Sequence, residues 1–190
     1  MGYVARHAYP VPRFEEISAD GSELVMERID GVTMLEALSR QPWTLRRHAS
    51  VLAALHDRLH EIPGPPWLDP FLAGGDCLVH LHLHPLNVIL SPKGPVLIDW
   101  SNAARGAGPA DVALTWLVMM AAEIQGGGVQ AAVGRVFRRL FVRSFLGHFD
   151  LAPVRTVLPA IGMWKCQDRN MSAAEVASMR RLVARESGRP

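Results

Sequence analysis

Two three-residue apolar runs, Val88-Ile89-Leu90 and Val96-Leu97-Ile98, flank the turn sequence Ser91-Pro92-Lys93-Gly94-Pro95. Runs this short around Pro and Gly cannot make helices, and they predict a hairpin with strands buried on both faces. Such a hairpin needs cover, and most of the remaining chain reads as helix. Thr33 is placed to cap a short helix over 34–40. Pro42-Trp43-Thr44 breaks it, and Thr44 is the expected cap of a longer helix reaching about residue 62, with Leu45, Leu52, Leu55, Leu59 and Ile62 at helical spacing. Pro109-Ala110-Asp111 opens a third helix to about residue 124, and Gly126-Gly127-Gly128 punctuates. Helices over 129–148, 152–165 and 172–186 close the chain, the last with a Ser172/Glu175 capping box. A second hairpin is expected between Arg13 and Ile29, around Ala19-Asp20-Gly21-Ser22. The fold class is therefore α+β, mostly helical.

The composition excludes several classes. Of 190 residues 49% are hydrophobic and 20% charged, enough to bury a core and too apolar for a disordered tail. No apolar run approaches the roughly 20 residues that cross a bilayer, so no membrane role is expected. The N-terminus, MGYVARHAYPVP, lacks the apolar stretch of a signal peptide. The two cysteines, Cys77 and Cys166, exclude a disulfide framework, and a cytoplasmic, reducing setting fits them. Residues 1–100 hold 8 Lys/Arg against 12 Asp/Glu, and residues 101–190 hold 12 against 6. The basic second half includes Arg135, Arg138, Arg139 and Arg143, whose helical spacing opposite apolar residues reads as a solvated helix face. Without a basic tail or interleaved aromatics, no nucleic-acid partner is expected. Its positive balance also argues against a cationic substrate. Only Lys93 and Lys165 are lysines, so a mechanism needing a buried lysine has few candidates.

The chemistry concentrates in residues 79–100. Asp99 ends a buried strand, where a carboxylate is costly unless paired or on a metal. Asn87 precedes the first strand of the same hairpin, so the two ends bring Asn87 and Asp99 together. An amide oxygen and a carboxylate form a hard-oxygen pair of the kind that accepts Mg2+ with phosphates and water. His80, His82 and His84 alternate, and in an extended segment they would share one face and could ligate Zn2+.

This stretch resembles the catalytic core of the aminoglycoside phosphotransferase family, which shares the protein-kinase-like fold with choline kinases. The family pattern is roughly H-G-D-x-H-P-x-N, then a hairpin ending in I-D-W or I-D-F. His80, His84, Pro85, Asn87, Ile98, Asp99 and Trp100 match it, and Gly108-Pro109-Ala110-Asp111-Val112-Ala113 resembles a later G-D-P-x-x-D-L-A segment. The resemblance implies ATP and Mg2+ as cofactors, with Asn87 and Asp99 as metal ligands. It implies His80, His84 and Asp111 as supports of the catalytic loop. It also implies Met26, Glu27 and Ile29 as a hinge segment touching adenine. It divides the chain into 1–31, a remnant N-lobe helix, hairpin and hinge, and 32–190, a helical C-lobe with catalytic loop 79–90 and metal-aspartate hairpin 88–100.

Three departures bear on activity. His82 occupies the position of the catalytic aspartate; with Asp99 it is a candidate catalytic residue. A neutral imidazole can take a proton, yet brings no negative charge to orient a hydroxyl, so transfer is expected to slow by about 10²–10⁴. Residues 1–92 contain no lysine, and no glycine-rich phosphate loop precedes the hairpin, as though the upper lobe were truncated. Leu86 and Ala107 replace residues that are often Gly or acidic. The expectation is a kinase-like phosphotransferase acting on a small-molecule hydroxyl, weak or inactive. The alternatives are a pseudokinase binding a partner or metabolite, or a repurposed pocket with histidine acid–base or metal chemistry. A homodimer through the exposed hairpin edge is a further expectation.

Overall fold

The computed structural model describes residues 1–20, 22–72, 74–124 and 127–187. Gly21 of the first predicted turn and Gly126 of the glycine run lie outside the described residues. A one-turn helix, α1 (Gly2–Arg6), leads into an antiparallel hairpin of β1 (Phe14–Ile17) and β2 (Leu24–Met26). Both strands are exposed along their whole length. Then β3 (Val32–Thr33) runs directly into α2 (Met34–Arg40), where the Thr33 hydroxyl accepts from the Glu36 N–H at 3.1 Å, the predicted cap.

After a 3-10 turn over Pro42–Thr44 comes the long helix α3 (Leu45–His60). Thr44 does not cap it. Its backbone belongs to the 3-10 turn, and its hydroxyl donates to the Gln41 carbonyl at 2.6 Å. Strand β4 (Cys77–Val79) follows, then β5 (Val88–Ser91), β6 (Gly94–Leu97) and β7 (Ala104–Gly106). The hairpin β5–β6 has Val88 opposite Leu97 and Ile89 opposite Val96. Only Val88 and Leu97 are fully buried, so these strands are half covered rather than enclosed on both faces. β3 pairs with β5 to make a three-stranded sheet, and β4 pairs with β7. Neither pairing follows from the sequence.

The rest is helical: α4 (Gly108–Ala121), α5 (Gly128–Leu146), α6 (Leu151–Lys165) and α7 (Ala173–Ser187). The Ser172 and Glu175 side chains each accept from the other's backbone N–H, at 3.1 and 2.9 Å, the reciprocal bonds of a capping box. The core sits between α3, α4, α6 and the base of the sheet, with Leu52, Leu59, Leu83, Leu97, Leu117, Phe145, Leu158 and Ile161 fully buried. Among the described residues no helix is long and apolar enough to cross a membrane.

The start of α4 also lacks a side-chain cap. Ala107 occupies the N-cap of α4 with extended backbone angles and no side-chain hydrogen bond. Ala107→Asp is expected to raise stability by about 0.3–1 kcal/mol, because a carboxylate there faces the helix dipole; Pro109 has no N–H to offer it, and the Ala110 N–H already donates to the Ala107 carbonyl. Urea denaturation of the two proteins at pH 7.5 measures the gain.

Candidate functional site

The segment between β4 and β5 is irregular, and one carboxylate holds its backbone. Asp111, in the first turn of α4, is completely buried. Its Oδ2 accepts from the His80 N–H at 3.0 Å and its Oδ1 from the Leu81 N–H at 2.8 Å. His60 Nε2 lies 3.2 Å from Oδ2. Burial opposes the charge on Asp111, but the His60 hydrogen bond, the nearby His56 and the His80 N–H outweigh it, so its pKa sits well below the usual carboxylate range. The double backbone grip explains how Leu81 keeps a left-handed φ of 59°, uncommon for a residue with a bulky side chain. Gly108 permits the His60 contact, since a Cβ there would come within 2.6 Å of the His60 ring.

The loop is fixed from other sides as well. His80 Nε2 donates to the Ile98 carbonyl at 3.2 Å, and its ring packs edge-on against Trp100. The Thr115 hydroxyl donates to the Leu83 carbonyl at 2.7 Å, and His56 Nε2 lies 3.0 Å from the Thr115 Oγ1. Burial pushes the pKa of His56 and His80 down to about 4, and that of His84 down to about 3. At a spacing of four on α3, His56 and His60 suit either the helix surface or a groove. In the structure they face inward, and with Thr115 they form a polar layer under the loop. Their spacing of four was visible; the partner on α4 that turns them inward was not.

The segment is not extended. The left-handed Leu81 breaks the alternation, and Leu81 and Leu83 are as buried as His80 and His84. The three imidazoles therefore diverge: His80 turns to Ile98 and Trp100, while His82 and His84 meet edge to face at 4.5 Å. Among the described residues no three His, Cys, Asp or Glu side chains are placed to hold one metal ion. This geometry removes the zinc site expected from the alternation.

His82 joins the two ends of the hairpin. Its Nδ1 lies 2.9 Å from Asp99 Oδ2, and its carbonyl accepts from Asn87 Nδ2 at 2.9 Å. The Ile98 N–H donates to the Asn87 carbonyl at 3.0 Å, which sets the two chain segments side by side. Asp99 also takes a left-handed φ of 61°, and its Oδ1 accepts from Ser101 Oγ at 2.7 Å. Burial works against its charge, but the bonds from Ser101 and His82 prevail and lower its pKa. With the Asn87 amide nitrogen committed to His82, its oxygen is the free end. Each Asp99 oxygen keeps a second lone pair. An amide oxygen and a partly exposed carboxylate suit a divalent ion that is otherwise bound by phosphate and water.

His82 opens onto a cavity of about 660 Å3 lined by Ser101, Trp164, Lys165, Asp168 and Glu175, among others. The buried Lys165 ammonium donates to Asp168 Oδ2 at 2.6 Å, a bond that lowers the pKa of Asp168. The charged lining groups beside His82 are thus two acids and one lysine. Among the described residues, the second-half arginines expected to repel a cation are spread over β7, α5, α6, the turn at Arg169 and α7, and none of them lines this cavity. At the hinge, Met26 is exposed, Ile29 is half-buried, and Glu27 is occupied: Arg13 Nε donates to its carboxylate at 3.1 Å, and its N–H donates to the Arg13 carbonyl.

No family profile matches the chain. No curated protein matches it either. Among solved structures, it is similar to an amicoumacin kinase, hAmiN, in complex with AMP-PNP, Ca2+ and Ami. The TM-score is 0.54 at 15% identity, over 98% of this chain and 74% of that one. An Asp111-braced loop, a hairpin ending in Asp99 and a helical bundle beneath them are therefore parts of a kinase-like fold.

Proposed function

We propose that the chain is a kinase-like small-molecule phosphotransferase, with residues 32–190 as its helical lobe and 1–31 as a reduced upper lobe and hinge. The observation that carries this reading is the junction at His82, which holds Asn87 through its carbonyl and Asp99 through its imidazole. That junction ties two hard-oxygen side chains to His82, which itself lines a polar cavity. ATP–Mg2+, when bound, supplies the phosphoryl group and the charge neutralisation. Asn87 and Asp99 would hold the metal, and the structure of hAmiN with AMP-PNP and Ca2+ supports a nucleotide with a divalent ion as the ligand class. The rest belongs to this chain's residues. Asp111 fixes the loop, His80 ties it to the hairpin, and the cavity orients a polar acceptor. His82 faces the acceptor hydroxyl, but it brings no negative charge to orient that hydroxyl beside the metal, which an aspartate there would do.

Saturating ATP–Mg2+ at about 100 times Kd should stabilise the protein by about 2.7 kcal/mol, or roughly 5–10 °C in Tm. EDTA should remove most of that shift, and so should Asp99→Asn. No shift with ATP–Mg2+ would sink the nucleotide reading. His82→Asp should raise phosphotransfer at least tenfold; wild-type turnover equal to or above the variant's would show that the imidazole is no handicap.

The 2.9 Å bond from His82 to Asp99 favours a second reading, a pocket turned to imidazole acid–base chemistry. A protein that ignores ATP–Mg2+ but whose thermal stability responds to small hydroxylated acids or amines, with the response lost in His82→Gln, would favour it.

A further inference from the structure

Two apolar faces of this molecule lie open, and they carry opposite charge. The first is the β1–β2 hairpin. Phe14, Ile17, Leu24, Val25 and Met26 are between 41% and 54% exposed, and among the described residues no other strand pairs with either strand. Segment 13–30 holds two arginines against six carboxylates. Glu15, Glu16 and Glu23 are exposed, whereas Glu27 is bound by Arg13.

The second is the outer face of α5. Val129, Val133, Val136 and Leu140 recur at steps of four, three and four, so they form one line along the helix. They are 52–79% exposed. The core-facing residues of the same helix are Ala131, Phe141, Val142, Phe145 and Leu146. The helix is thus apolar on both sides, a pattern of helices covered on both sides. It carries four arginines and no acid; Arg135, Arg139 and Arg143 are exposed, and Arg138 is tied to the Ala122 carbonyl. Arg135, Arg139 and Arg143 are exposed as the sequence suggests, and they run along one flank of the Val129–Leu140 line, with Arg143 and Arg139 nearest to it.

We infer that these two faces bind each other between copies: the hairpin of one protomer docks on α5 of another. Like-on-like pairing is disfavoured by charge, because two α5 faces set arginines against arginines and two hairpins set glutamates against glutamates. The unlike contact brings carboxylates to guanidinium groups along one edge of an apolar contact. Such a contact is heterologous, so it closes into a ring or extends as a chain. A membrane is the weaker candidate, since the α5 stripe has three valines and no aromatic residue to anchor in an interface. Because β2 leads directly into residues 26–30, a docked copy would stand beside the hinge segment.

The test is a charge exchange read by sedimentation velocity over a concentration series. One variant carries Glu15→Arg and Glu16→Arg; the other carries Arg139→Glu and Arg143→Glu, the two arginines nearest the apolar line. All four positions are exposed, and circular dichroism checks each fold. The wild type should self-associate, at least tenfold more weakly at 500 mM than at 50 mM NaCl. Each variant alone should be monomeric where the wild type associates. The equimolar mixture should associate again, since both unlike contacts are restored. A monomeric wild type at every concentration overturns the inference. So does association that either variant retains alone, or a mixture that stays monomeric. Flotation of a monomeric wild type with phosphatidylserine vesicles would assign the α5 face to a membrane and overturn it as well.

Discussion

Lowering the pH from 7.5 to 5.5 should remove about 4 kcal/mol of folding stability, at least a quarter of the 5–15 kcal/mol that a domain commonly has. Three histidines cause it. His56, His80 and His84 are buried, and burial holds their folded pKa at about 4, 4 and 3. Unfolded, each titrates near 6.5. Because the folded values are lowered, the stabilisation is complete above pH 6.5 and is lost as pH falls toward 4, where the unfolded chain has taken up three protons that the folded one refuses. Asp111 does not mask this. Its folded pKa is also lowered, but its contribution is complete above the unfolded value of about 4, so it stays constant over this window. Urea denaturation at half-unit steps gives the slope directly. His84→Gln should reduce it by one proton, and a slope identical to the wild type would remove His84 from the account.

The sequence made parts of the fold legible where local chemistry decides. Thr33, the Ser172/Glu175 box and the Ser91–Pro95 turn need only a few neighbouring residues, and each forms as read. It was silent on the pairing of β4 with β7 because each strand has three residues, too few for a period, and 24 residues separate Val79 from Ala104. Thr44 has the residue type of a cap but stands in a 3-10 turn, which its chemistry equally allows. At the site, Asn87, Asp99 and Asp111 carried a recognisable order along the chain. His60 and Thr115 did not, since a polar residue on a helix reads as solvent-facing until its partner on another element is known. The α5 arginines Arg135, Arg139 and Arg143 are exposed as read, but so is a second apolar line, Val129 to Leu140, and the sequence does not say which of the two apolar lines faces the core.

Removing the Asp111 carboxylate should be the most damaging single change in the molecule. Asp111→Ala leaves the N–H groups of His80 and Leu81 without an acceptor in a fully buried place, and it frees His60. Breaking a buried charged network from one side costs about 3–5 kcal/mol. The loss should also be local in a specific way. Leu81 keeps its left-handed backbone only while Asp111 holds its N–H, and that conformation costs about 1–2 kcal/mol for a residue with a Cβ. The loop should relax, and His82 should leave Asp99. Asp111→Asn is the informative comparison. Its amide oxygen can keep one backbone bond while its NH2 faces a donor, so a loss of about half that of Ala is expected. Hydrogen exchange at His80 and Leu81 separates loop release from global unfolding. Protection lost there under conditions where α3 and α4 stay protected would show that the carboxylate organises the loop. Uniform loss across the molecule would show instead that Asp111 holds the core as a whole.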